Sequence, residues 1–392
     1  ARELAAIFGG PESHLLLVAN NAEMRAGSGM ILTTGVVRTD GGAVIVTDLG
    51  SSFRRNLEPG TVELTQTYED HFGFLTPEAE WRNLGVTPRF PETAESALRM
   101  WEASTGERLA GVMLMDPFML AALMEGTGPV TIDGDVYDSS SVIDYLLHDQ
   151  YLTIDRDQTN TERRAQERAL APVVLTALTA GSLDAAKLLP ALIGAAERRH
   201  LLMWSPDSER QEAWVQAGLD GDLEADSLAL SLSNRSPSKL DYFVEVRAAL
   251  TTEVEGTVRH VELEVAIDNT VEVANEHWYI AGPQPWDDTP VLPGEYVSLV
   301  TINLPGEATN ATIDGVSELS VAGADGPTRI IATTLSVLPG QRRTLFVRFD
   351  LPVSVETTTV EPSARPEPIG WRVGPNDYRS GESFLVNWSI LD

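Results

Sequence analysis

The sequence predicts an α/β domain, a mixed sheet flanked by helices, over residues 1–225, followed by an all-β, immunoglobulin-like sandwich over 226–392. Three observations carry this reading. Apolar runs alternate with segments of helical spacing in the first half. The pattern changes to strict period two after about Asp226. Pro/Gly-rich turns such as "GPQPWDDTPVLPG" then divide the strands. A chain of 392 residues, 43% hydrophobic, has material for two sizeable cores.

In the first half, "HLLLVAN", "GMILTTGVV" and "AVIVTDLG" read as strands, the last two joined by the turn "RTDGG". A long polar loop is expected through "YEDHFGFLTPEAEWRNLGVTPRFP". A helix then starts near Glu92, places Ala94, Leu98 and Trp101 at helical spacing, and stops at Gly106. "LAGVMLMD" reads as a buried strand, "PFMLAALMEG" as a helix opened by Pro117, and "GPVTIDGD" as a further strand and turn. Residues 139–219 read as helical. "TNTE" at 159–162 has the form of a capping box. "SLDAAKLLPALIGAAERRHLLMW" reads as one apolar helix kinked or restarted at Pro190, and Ser205 before Pro206 suits the start of another. In the second half, Val261, Leu263, Val265 and Ile267 alternate with polar residues, as do Leu345, Val347, Phe349 and Leu351. "EPSARPEPIGWRVGPND" is expected to wrap as an ordered loop.

The formal net charge is −30 and no basic stripe is visible, so nucleic acid is not an expected partner. The absence of cysteine excludes disulfides, thiol catalysis and Cys-based metal sites, and leaves the compartment open. The longest apolar stretch is broken by Asp116 and Pro117 and does not read as a membrane span. The chain opens on "ARELAAIFGG", a helix end with a Gly stop, from which an upstream membrane anchor is expected.

Three charged clusters are candidates for a site. In "NNAEMRAGSGMIL", residues 20–32, Arg25 offers a planar fork of donors, and Gly27, Ser28 and Gly29 would let backbone amides approach an anion; the alternative is a polar, glycine-rich strand connection. In "SSFRRN", Arg54 and Arg55 follow a buried strand, either solvated or at the end where α/β sheets place sites. In "TERRAQER", Arg163, Arg164 and Arg168 occupy a helix start, where cations are unfavourable by roughly 0.3–1 kcal/mol unless an anion or a local carboxylate compensates. Converging strand-end loops would put Arg25 and this helix start on one cleft. The six histidines show no ligand spacing, and no Gly-x-Ser-x-Gly elbow occurs.

"LLLVANNAEMRAGSGMI", "TPRFPETAESALRMWEASTGERLAGVMLMDPFMLAALMEGTGPVTI" and "DSLALSLSNRSPSKLDYFVEV" resemble the envelope family catalogued as domain of unknown function 4012, common in actinobacteria behind an N-terminal membrane anchor. The resemblance runs from about residue 10 to 250 and brings no established activity. A more distant similarity is to the LytR-CpsA-Psr phosphotransferases, which attach glycopolymers to the cell wall from polyprenyl-pyrophosphate carriers. It rests on "RAGS", "SSFRR", "TGERLAGVMLMDPFMLAALMEGTGPVTI" and "ERRAQERALAPVVLTAL".

That similarity implies Arg25, Arg54, Arg163 and Arg164 as the pyrophosphate clamp, with Asn21, Glu23, Ser28, Arg55, Gln166 and Arg168 around the ligand. The carboxylates of the family pattern are missing, one replaced within "AGSG" and the other by Arg55, so Glu23 or Asp48 would have to hold magnesium. Two functions are therefore expected. One is a phosphotransferase-like protein acting on a polyprenyl-pyrophosphate-linked glycan at the extracellular face of the cell envelope, its apolar helix faces over 170–203 sheltering the prenyl chain. The other is a non-catalytic envelope scaffold that binds a glycan, a cell-wall polymer or a protein.

Overall fold

The computed structural model describes residues 10–41, 43–132, 134–155, 184–284, 290–379 and 381–391. The chain divides into two compact units. The first comprises Ala1–Asn21 and Gly27–Asp222, and the second Ala22–Ala26 and Leu223–Asp392. The sequence put the boundary after residue 225 and did not foresee that Ala22–Ala26 belong with the second half.

The first unit is mixed α/β. Its sheet is formed by β1 (Glu12–Met24), β2 (Gly29–Asp40), β3 (Ala43–Ser51), β4 (Val112–Met115) and β7 (Leu201–Trp204), in the order β3-β2-β1-β4-β7. A separate hairpin pairs β5 (Val130–Ile132) with β6 (Asp135–Tyr137). β1 runs parallel to β4 from Leu15 opposite Val112 to Val18 opposite Met115, and β7 returns antiparallel to β4. As a central strand β1 is buried on both faces, hence its unbroken apolar run rather than an alternation.

Helix α1 (Phe90–Thr105) ends at Gly106, whose φ of 74° suits only a residue without a Cβ penalty. Helix α2 (Pro117–Thr127) packs with α3 (Ser141–Leu147) and α4 (Ala185–Glu197) on Leu16, Val18 and Met115, giving one apolar core; α5 (Ser208–Gln216) follows β7.

Four expectations for this unit are corrected. The loop before α1 is not a solvated connection, because Tyr68, Phe72, Trp81, Leu84 and Val86 bury themselves in short helical turns. "LLMW" is not the end of a helix. Arg199 takes a left-handed φ of 64°, the helix stops at Glu197, and Leu201–Trp204 pairs with β4. α4 runs through Pro190, and α5 is opened by the side chain of Asp207, which accepts from the Arg210 amide at 3.0 Å. No helix among the described residues is long and apolar enough to cross a membrane.

Beyond residues 22–26 the second unit is built on β-strands: β8 (Ser227–Asn234), β9 (Val244–Glu255), β10 (Val258–Asn269), β11 (Tyr296–Leu304), β12 (Thr309–Ile313), β13 (Val321–Asp325), β14 (Thr328–Val337), β15 (Arg342–Pro352), β16 (Thr357–Glu361), β17 (Gly370–Val373), β18 (Asn376–Tyr378) and β19 (Phe384–Asn387). They form two six-stranded sheets, β12-β15-β10-β9-β17-β18 and β13-β14-β11-β8-β16-β19. All eight alternating residues expected on β10 and β15 are buried, and they share one apolar cluster with Leu230, Val300 and Ile302 of the other sheet. The expected loop around "EPIGWRVGPND" instead supplies β17, parallel to β9, because Trp371 and Val373 face that core.

Candidate functional site

Within the first unit, the ends of the parallel strands β1 and β4 gather a buried polar centre. Asp116 follows β4 and opens α2, its Oδ1 accepting from the amides of Phe118 at 3.0 Å and Met119 at 3.1 Å. Its Oδ2 accepts from Asn21 Nδ2 at 2.8 Å and lies 2.7 Å from His200 Nδ1. Because β7 is antiparallel to β4, its start lies beside the end of β4, which brings His200 to Asp116. Arg199 fixes that turn, its guanidinium donating to the carbonyls of Pro88 and Gly221. The His200 ring stacks on Phe118 at 4.5 Å, and Asn20 donates to the Tyr151 hydroxyl. The carboxylate facing Nδ1 puts a proton on that nitrogen, the arrangement of a carboxylate–histidine dyad.

The rest of the opening stretch serves the second unit. Glu23 forms a buried ion pair with Lys239. The Met24 amide donates to Asp241 Oδ2 at 2.9 Å. Arg25 Nη1 donates to the carbonyls of Met24 at 2.9 Å and Asn234 at 2.8 Å. Asp241 also accepts from Asn234 Nδ2, the Tyr296 hydroxyl and Arg365. Burial pushes the Asp241 carboxyl up, against the opposing pull of Arg365 and these donors. Burial, then the Asp241 charge, push the Tyr296 hydroxyl up as well.

The small residues of "AGSG" are not an anion cradle. A Cβ on Gly29 would fall 2.2 Å from the main chain of Asn20, and one on Gly27 would fall 2.7 Å from the Thr87 carbonyl. Backbone occupies the room reserved for a ligand, and Ser28 is buried beside it.

Arg54 is exposed in the first unit. Arg55 lies over the Trp101 ring at 4.2 Å and donates to Thr34 Oγ1 at 3.1 Å and the Asp48 carbonyl at 3.0 Å. Burial lowers its pKa, partly offset by Asp48. Asp48 is exposed, with a φ of 52°, beside the irregularity in the β2–β3 register. Arg163, Arg164, Gln166 and Arg168 lie outside the described residues, and with them the expected shared cleft. Glu23 is committed to Lys239 rather than presented to a metal, and among the described residues no group of three or more His, Asp or Glu is arranged to hold one.

One open feature that the sequence did not reveal is a trough of about 240 Å³ in the second unit. Register explains it. Glu264 of β10, Ala249 of β9 and Arg372 of β17 stand side by side, and so do Ala266, Arg247 and Gly370. Large charged and small residues thus alternate in both directions, and each small residue is a hollow rimmed by charge. Arg247 pairs with Asp268 at 2.7 Å and Arg372 with Asp377 at 3.1 Å. Arg379 also lines the trough and has no ion pair among the described residues. The signal was there in Ala249, Ala266 and Gly370, small residues at outward positions of otherwise well-patterned strands.

These features define a two-part protein, a mixed α/β unit with a buried polar centre and an all-β unit with an open, charged trough. Residues 9–151 match the family model described as "Protein of unknown function (DUF4012)", which supports that resemblance over those residues. No curated protein matches the chain.

Proposed function

We propose that the protein is a non-catalytic scaffold of the cell envelope, anchored on its outer face, with a LytR-CpsA-Psr-like first unit. The second unit, its two sheets closed as a sandwich, binds an envelope polymer or partner. The carrying observation is the trough, lined by an arginine, Arg379, that has no ion pair among the described residues, while Arg25 and Glu23 are spent on structural bonds. Retention of the purified protein on isolated cell walls, without turnover of a lipid-linked glycan in the presence of magnesium, is the expected result. Turnover would overturn this reading.

The phosphotransferase-like alternative is favoured by one observation, the Asp116–His200 pair at the strand ends. In that case His200 Nε2 would accept the proton of an attacking hydroxyl, Arg54, Arg163 and Arg164 would clamp the pyrophosphate, and magnesium would neutralise phosphoryl charge when bound. His200→Ala should then abolish turnover while Arg54→Ala weakens binding of a prenyl pyrophosphate.

A further inference from the structure

We infer that the trough binds an acidic saccharide, one sugar ring lying on the floor of Ala249, Ala266 and Gly370 with its carboxylate or phosphate group at Arg379. This rests on the scaffold reading and specifies its ligand. Arg247 is already paired with Glu245 and with Asp268, which it shares with Arg342, and Arg372 is paired with Asp377, whereas Arg379 makes no ion pair or hydrogen bond among the described residues. In a chain of net charge −30, a guanidinium that lines a trough and has no ion pair among the described residues is a local attraction for one anionic group.

The rest of the rim suits hydroxyls. Glu264 offers acceptors on one side of Ala249, and the Arg372–Asp377 pair offers donors and acceptors on the other. With strands about 4.8 Å apart, Glu264 and Arg372 stand about 10 Å apart across the floor, a span that a hydroxylated ring can bridge. The floor is made of small residues, and Trp371, the aromatic residue of the lining, is only 5% exposed and packs into the core, so no large aromatic side chain is presented as an anchor for a protein partner. A volume of about 240 Å³ is below the roughly 300–1,000 Å³ of drug-sized sites.

The test is calorimetric titration with a digalacturonate, the matching neutral galactose disaccharide, and inorganic phosphate. Digalacturonate should bind the wild type, the neutral disaccharide about tenfold more weakly, and phosphate not measurably. Arg379→Ala should remove the preference for the acidic sugar. Ala249→Leu should abolish binding by filling the floor. Gly370→Ala is a milder filler, since its Cβ would meet only Arg247 Cγ at an ordinary 3.7 Å, and should weaken binding with an unchanged melting temperature. Equal affinity for both disaccharides, binding of phosphate alone, or wild-type binding by folded Ala249→Leu would overturn the inference. A protein partner lost in Ala249→Leu without any response to digalacturonate would overturn it too, assigning the trough to a protein. If Ala249→Leu is still retained on cell walls, the ligand assignment fails while the scaffold reading stands; glycan turnover instead fails the scaffold reading.

Discussion

Gly29 lies so close against Asn20 that a Cβ would come within 2.2 Å of the Asn20 carbonyl carbon. This approach explains the tiny residues after Arg25, and no flexible side chain is available to yield. Gly29→Ala should therefore cost at least 1–3 kcal/mol, about the usual penalty for overpacking. Urea unfolding monitored by tryptophan fluorescence checks it; a cost below about 0.5 kcal/mol would contradict the close packing.

The Glu23–Lys239 pair should behave as a buried ion pair, the side chains being 10% and 4% exposed. Lys239→Met alone leaves a buried carboxylate and should destabilise by about 3–5 kcal/mol. The double variant Glu23→Leu/Lys239→Met should recover much of that loss. A double-mutant cycle showing simple additivity would contradict the pairing.

His14 makes stability depend on pH. Burial, helped by the Arg210 charge, lowers its pKa from 6.5 to about 4. The unfolded chain therefore takes up this proton more readily than the folded one. The contribution is complete above 6.5 and is lost as pH falls through about 4, by roughly 3 kcal/mol at most. Denaturation midpoints at pH 7 and pH 4.5 should differ less in His14→Gln than in the wild type.

Asp116→Ala removes a helix cap and the partner of both His200 and Asn21, and should cost about 3–5 kcal/mol. Asp116→Asn keeps an oxygen for the α2 amides but turns donors toward donors, so a loss of about 1–3 kcal/mol is expected. Equal stability of both variants with the wild type in urea would show that the centre carries no load.

The strands of the second unit were legible because the residues of β10 and β15 alternate without interruption, so period alone assigns a face to each. The opening stretch was legible as polar but not as structure. The partners of Asn21, Glu23 and Met24 lie 95, 216 and 217 residues further along, beyond any local pattern. "LLMW" was misread because a short apolar run fits a helix as well as a strand, and the φ of Arg199 that decides between them leaves no mark in composition. The trough depends on the register of three strands, which spacing along one strand does not contain.

Ala22–Ala26 leaves the ribosome long before the rest of the unit it completes, which begins in earnest only at Leu223. During synthesis Glu23 and the Met24 amide must wait, unpartnered, for Lys239 and Asp241 to be made. Final closure of the second unit is then a late event that reaches back to a segment made long before it, and a fragment started at Leu223 would emerge without the residues its own interior expects.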